Sequence, residues 1–397
     1  CVKKITNFST LDDVGIPVPN GLSDPAMGSF DADEICTTCS LNGYECPGHF
    51  GMIDLALPVY NPMFFAALVS LLKGSCFICH RPYAKSVLIQ KFIMQIKLID
   101  SDLISASREL DSNYSKWNSM VSGQRIPPSE QKQFLKLKMD KFYARQIRNA
   151  FKDKNSGTNI TRVLSDERQN LIKHFIRSVY LDSTNKTCTH CEMPRASLKH
   201  EFCAMICVKI INKKNVNFQN IDPQLTQNAT IKLDSESLNS PQHLTAIDVM
   251  DHFKKFSNNE NEFLSTLYGH SDSKLLLHMF FLESVCVIPP KFRPVSFMGD
   301  SKFENATTGT YKKIIMNKIL LENTLSELNN DSTSASTFKY KGFRKRDLQG
   351  AFSQGSSKYE RLQSVWSGLQ TSVNVLFDSK LSRNTKEDSI GLRQLLE

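Results

Sequence analysis

Two sets of cysteines and histidines at metal-ligand spacing constrain this chain more than any other feature. The series Cys36-x2-Cys39-x6-Cys46-x2-His49 offers four ligands in two close pairs. A two-residue gap lets both side chains of a pair reach one ion from a tight turn. Gly43, Pro47 and Gly48 supply turn residues in the same stretch. Four protein ligands leave no open position for water, so such a site is structural, not catalytic. A second pair, Cys76-x2-Cys79, finds its partner only at Cys188-x2-Cys191. The long insert between them must therefore fold back on itself to close one all-cysteine site. His80, His190 and His200 are rival ligands nearby.

Eleven cysteines permit either disulfides or metal. No basic-then-apolar leader opens the chain, so a reducing compartment is expected, and there the C-x-x-C spacing favours zinc. The longest apolar stretch, Met63 to Leu72, is broken only by Ser70. At about 1.5 Å per residue it is too short for a bilayer core of ~30 Å. At 397 residues, two to four domains are expected. The opening Cys1 and the helix-like run into Glu397 suggest a piece of a longer protein. Lys and Arg outnumber Asp and Glu by 49 to 40, a net +9, which suits a polyanionic partner without conferring specificity.

Turn residues from Gly15 to Gly28 predict an extended lead-in. Apolar periodicity predicts helices over 84–110, 131–154, 163–180, 246–256, 261–268, 273–283, 310–327 and 357–377. A polar linker is expected at 111–130, an Asn-rich loop at 212–243, and a low-complexity break at 329–337. Cys203 and Cys207, four residues apart, read as buried core thiols, and Cys1 and Cys286 as unpaired structural ones.

No phosphate-loop, dinucleotide, zinc-protease or nucleophile-elbow motif is present. Asp31 with Asp33, and Asp100 with Asp102, have the alternation of magnesium-binding carboxylates. The first pair adjoins the metal knuckle and the second ends a helix, where capping and solvation explain them. The helix at 131–154 carries Lys132, Lys136, Lys138, Lys141, Arg145, Arg148, Lys152 and Lys154 against Asp140 and Asp153. It reads equally as a phosphate-tracking surface and as a solvated face. Lys339 to Arg346, with Tyr340 and Phe343, reads as nucleic-acid contact, import signal or flexible tail.

Particular stretches then resemble a family. Glu45-Cys-Pro-Gly-His-Phe-Gly51 and Ile53-Asp-Leu-Ala-Leu-Pro-Val-Tyr-Asn-Pro62 resemble the opening of the largest subunit of multisubunit RNA polymerases. So do Pro17 to Gly28, the proline-rich run from Phe280 to Pro294, Leu369 to Asp378, and Gly391 to Glu397. Arg293-Pro-Val-Ser-Phe-Met-Gly-Asp300, the long insert in the second metal site and Cys188-Thr-His-Cys191 are most similar to the polymerase I form. Met52 departs from the histidine common in the family.

The resemblance implies a mixed α+β, irregular multi-part clamp with two structural zinc sites, a helical clamp head and long loops. Its parts would be a clamp core with the first zinc over 1–75 and a head with the second over 76–205. Residues 206–290 would be an insert and return to the core, and 291–397 the lid, connecting helices and start of the rudder. The implied zinc ligands are Cys36, Cys39, Cys46, His49, Cys76, Cys79, Cys188 and Cys191. Arg293, Lys302, Lys380, Arg383 and Lys386 would contact nucleic acid. The assembled enzyme would be a nuclear, nucleolar nucleotidyltransferase working with the second-largest and smaller subunits on template DNA and an RNA–DNA hybrid. Its catalytic aspartate loop and Mg2+ would lie outside this stretch. The competing expectation is a stand-alone zinc-stabilised nucleic-acid-binding or scaffold protein. A hydrolase using Asp31 and Asp33 is a third.

Overall fold

The computed structural model describes residues 1–12, 14–28, 34–123, 127–153, 163–182, 184, 186–201, 205–210, 227, 229–231, 241–270, 272–298, 301–329, 357–381 and 391–396. The fold mixes α and β. Strand β1 (Lys3–Lys4) lies parallel to β2 (Gly51–Tyr60), which pairs antiparallel with β6 (Phe281–Val287). The β2–β6 register shifts between Asp54 and Val59. Pro58, which has no N–H to give a ladder, sits in that gap. A second sheet joins β3 (Ala196–Glu201), β4 (Met205–Ile210) and β5 (Gln242–Leu244), all antiparallel. Among the described residues, strands β7 (Ser296–Met298) and β8 (Ser301–Phe303) pair only with each other.

The helices are α1 (Phe65–Lys73), α2 (Ser86–Asp100), α3 (Ile104–Ser122), α4 (Pro128–Asp153) and α5 (Val163–Phe175), which runs into a wider turn over Ile176–Tyr180. After β5 come α6 (Ala246–Asn259), α7 (Asn261–Tyr268) and α8 (Ser273–Phe280). The late ones are α9 (Ala306–Asn329), α10 (Lys358–Phe377) and the short α11 (Leu392–Leu396).

Three apolar cores organise these elements. One gathers Ile5, Leu22, Met27, Ile53, Val59, Val285 and Val287 from the first sheet and its lead-in. Tyr311, Ile314, Ile315 and Leu321 of α9, with Leu369, Val373 and Leu376 of α10, close over it. Gln370 of α10 completes the sheet: its amide accepts from Tyr60 N–H at 2.7 Å and donates to Tyr60 C=O at 2.9 Å. Trp366 Nε1 donates to Pro58 C=O at 3.1 Å, meeting the backbone the register shift leaves open. A larger core packs α1, α2, α6–α8 and the second sheet around Phe92, Phe175, Tyr180, Phe253 and Phe263. The third lies between α2, α3 and α4.

Two expectations are corrected. The linker expected at 111–130 is helical as far as Ser122. Ala106, Leu110 and Val121 are buried, and Tyr114 and Trp117 pack beside them, so one stripe at helical spacing runs through the polar residues. The helix expected over 273–283 stops at Phe280. From Phe281 the chain is strand, with Phe281, Val285 and Val287 buried on one face. Most of 212–243, all of 330–356 and the Lys339–Arg346 tract lie outside the described residues, as do Asp31 and Asp33.

Candidate metal centres

Three stretches of chain take up one and the same turn. Cys36, Cys76 and Cys188 each donate their N–H to the carbonyl five residues on: Leu41 at 2.9 Å, Arg81 at 2.9 Å and Met193 at 2.8 Å. Each cysteine carbonyl accepts from the residue four on: Ser40 at 2.8 Å, His80 at 2.9 Å and Glu192 at 3.0 Å. Those three residues carry φ of 58°, 53° and 58°, the left-handed conformation that reverses the chain. An isolated antiparallel bridge closes each turn, at Ile35–Asn42, Ser75–Pro82 and Thr187–Pro194. The second cysteine of each pair thereby faces the same way as the first.

The fourth half-site differs. Gly48 has φ +83°, and a Cβ there would stand 2.7 Å from Pro289 Cβ, so only glycine fits. Its N–H donates to Cys46 Sγ at 3.4 Å. His49 is positioned by its own N–H, which reaches Met27 C=O at 2.9 Å.

These turns bring the expected ligands together. The donor atoms of Cys36, Cys39, Cys46 and His49 all lie within 4.8 Å of one another, and Cys46 Sγ is 3.6 Å from His49 Nε2. Cys76, Cys79, Cys188 and Cys191 form a second cluster inside the same limit. Here Cys76 Sγ is 3.7 Å from Cys191 Sγ, and Cys79 Sγ is 3.7 Å from Cys188 Sγ. Hydrogen bonding to Cys188 and Cys191 pushes the Cys76 and Cys79 thiols up, while contact with Cys191, Cys76 and Cys79 drives Cys188 down. Such crowding is relieved when a cation takes the place of the shared protons.

The rival histidines stay out of the cluster. His80 Nδ1 meets His252 Nδ1 at 2.8 Å in the core, His200 lies edge-on to Phe65 with ring centroids 5.7 Å apart, and His190, beside Cys188, is not one of the four clustered donors. His252, stacked on Phe77 and bonded to Ser75 at 2.9 Å, ties α6 to the second knuckle. The insert closes because Tyr180, fully buried, donates to Leu71 C=O at 2.9 Å. Its ring occupies the space over Gly74, where a Cβ would meet it at 2.0 Å.

Outside the clusters the structure departs from the sequence reading. Arg293 is only 3% exposed. Its guanidinium donates to Ile288 C=O at 3.0 Å, Leu22 C=O at 2.7 Å and Thr308 Oγ1 at 3.0 Å, with Tyr311 beneath it. Three of its five N–H groups are used inside the protein, so the expected backbone contact to nucleic acid would need this buried side chain to be uncovered. Lys380 is exposed in a helical turn after α10, whereas Arg383, Lys386 and the Lys302 side chain lie outside the described residues. Cys207, expected as a buried core thiol, stands half-buried on strand β4 with its Sγ 3.1 Å from His243 Nδ1. Cys203 lies outside the described residues. Cys1 and Cys286 face each other, sulfur to sulfur, at 4.0 Å.

Sequence reasoning missed Lys291. Its ammonium donates to the carbonyls of Gly43 at 3.4 Å, Tyr44 at 3.2 Å and Cys46 at 3.0 Å, clasping the first knuckle to the proline-rich segment. A lysine five residues from Cys286 in sequence carries no mark of that role.

Two separate clusters of four cysteine and histidine donors, each able to hold a metal ion, define the site class of this mixed α and β chain. Comparison with known proteins narrows the class. The family described as RNA polymerase Rpb1, domain 1 matches residues 1–340. The chain belongs to that family and is the N-terminal region of a largest RNA polymerase subunit. It is 26% identical to "DNA-directed RNA polymerase I subunit rpa1" of Schizosaccharomyces pombe, over 100% of this chain and 26% of that protein. Similarity to "DNA-directed RNA polymerase I subunit RPA190" of Saccharomyces cerevisiae is 25%, over 100% of this chain and 26% of that one. A shorter match, 38% identical over 24% of this chain and 11% of the relative, is to "DNA-directed RNA polymerase subunit Rpo1N" of Methanothermobacter thermautotrophicus. The chain thus spans about a quarter of the length of the first two relatives. No helix among the described residues is long and apolar enough to cross a membrane.

Proposed function

We propose that this chain is the clamp portion of a polymerase I largest subunit, holding DNA and the RNA–DNA hybrid during ribosomal RNA synthesis in the nucleolus. The observation that carries the proposal is the pairing of two closed ligand clusters with polymerase I relatives that match the whole chain. Zinc is the ion the donor sets suit: three thiols with one imidazole, and four thiols. Cys36, Cys39, Cys46 and His49 would hold one ion, and Cys76, Cys79, Cys188 and Cys191 the other. Bound there, zinc supplies cross-links and no reactive position, since every ligand comes from protein.

A jaw that closes on nucleic acid must move as a stiff body. The knuckles lie in stretches with little regular structure, and cross-links stiffen them where packing alone does not. In this reading residues 1–75 are the clamp core, 76–205 the head, 206–290 the insert and return, and 291–397 the lid, connecting helices and start of the rudder. The β7–β8 pair, joined to no other strand among the described residues, suits a lid, and exposed Lys380 suits a rudder contact. Catalytic aspartates and their Mg2+ would come from elsewhere in the assembled nucleotidyltransferase, alongside the second-largest and smaller subunits.

Affinity purification through a tag at the chromosomal gene tests this. The expected result is co-purification of a second-largest polymerase subunit and DNA-templated RNA synthesis by the eluate. A chain recovered alone and inert would instead support a free-standing zinc-stabilised scaffold.

A further inference from the structure

Helix α4 turns one face into the third core, through Leu135 and Met139, with Phe142, Tyr143 and Ile147 packed beside them. On its outer side Lys138, Lys141, Arg145 and Arg148 recur at intervals of three, four and three residues, which places them along one stripe. All four are exposed. At 1.5 Å of rise per residue the stripe runs about 15 Å. Asp140, the nearest acid in sequence, sits about a quarter-turn or more to the side.

Neighbouring helices show what an ordinary solvated face looks like here. Lys91 pairs with Asp111, Lys97 with Glu262, Arg108 with Glu167 and Arg168 with Asp100. Four cations on α2, α3 and α5 are therefore neutralised within the protein. Among the described residues no salt bridge engages the four on α4, and Lys138 instead rests over the exposed Phe134 ring at 5.3 Å. Holding four like charges on one helix face costs stability by mutual repulsion, and a polyanion relieves that cost.

We propose that the outer stripe of α4 binds the sugar-phosphate backbone of duplex DNA without reading its sequence. This rests on the polymerase reading above and specifies one surface of it. A duplex carries one charge per about 1.7 Å of its axis, so a stripe of this length always finds phosphates within reach, whatever the register. The four side chains end in ammonium and guanidinium groups, which position a backbone but, on a stripe with no groove-filling element, leave base edges unread. A partner protein would have to present several carboxylates at matched intervals to do the same.

The test uses the tagged polymerase complex and a mixed-sequence duplex, with affinity measured at several salt concentrations. Lys138→Gln, Lys141→Gln, Arg145→Gln and Arg148→Gln are combined in one variant. Glutamine keeps helix propensity close to that of the residues replaced, so the helix persists. Every phosphate left without its cation makes the log–log salt slope shallower by about 0.9, so a change of about 3 to 4 is expected. A control replacing Lys132 and Lys136, which lie off the stripe, should leave the slope within about one unit of the parent. An unchanged slope in the fourfold variant overturns the stripe while leaving the polymerase reading intact. The same holds if that variant loses a protein from the complex and keeps its DNA affinity. Absence of polymerase subunits from the parent preparation would instead sink the reading on which the stripe rests.

Discussion

At the residue scale, the first knuckle is held by groups outside its ligand set. Lys291 places a positive charge against three carbonyls of the loop. With a divalent ion bound, three thiolates would leave that loop net negative, and the ammonium would then balance charge as well as fix shape. Lys291→Met is expected to weaken metal retention at the first site by about 10-fold or more, the usual size of an outer-sphere loss. Timed release of zinc to a chelator measures it, and a second ion released at the parent rate marks the effect as local. His252 makes a different prediction. Burial, then the neighbouring His80 and Lys255, hold its pKa well below the ordinary imidazole value of 6.5. The unfolded chain therefore takes up a proton that the folded one refuses. Stability is full above pH 6.5 and falls as pH drops below it, by up to about 1.4 kcal/mol per pH unit. In His252→Gln that part of the slope should vanish, read by urea denaturation at pH 7 and pH 5.5. The side chains that cluster were legible from sequence because the two-residue spacing within each pair is local. Lys291, His252 and the buried role of Arg293 were not, because each depends on a partner far along the chain.

At the element scale, α10 acts as a surrogate strand. Gln370 pairs with both backbone groups of Tyr60, 310 positions away. Gln370→Leu leaves a buried N–H and C=O without partners, each worth about 1–3 kcal/mol. A loss of about 2–6 kcal/mol is expected, seen as a lower urea midpoint with an unchanged m-value. A loss under about 0.5 kcal/mol, the size of an ordinary surface change, would mean that water replaces the amide. Most helices were readable because their apolar stripes are dense. Helix α3 hid its stripe among Ser, Asn and Asp, and only Leu110, Tyr114, Trp117 and Val121 keep the period. Strand β6 begins immediately after a helix of similar apolar content, and only the change from a helical to an alternating period separates Phe280 from Phe281.

At the scale of the whole molecule, the two ligand clusters lie at opposite ends of β2 in sequence, and β2 links their cores. Ile53 and Val59 belong to the core beside the first cluster, and Tyr60 opens the core beside the second. A metal ion in each cluster would cross-link the chain on either side of β2, through His49 just before it and Cys76 beyond α1. Family membership is carried by the match over residues 1–340, which takes in both clusters and the strand between them. The most direct measurement is the zinc content of the purified full-length subunit by elemental analysis, set against Cys36→Ser and Cys76→Ser variants. Two ions per N-terminal region are expected, with one lost from each variant and the remaining cluster still loaded. Folded protein that carries no zinc, or variants that keep the parent's full content, would contradict the metal-braced clamp.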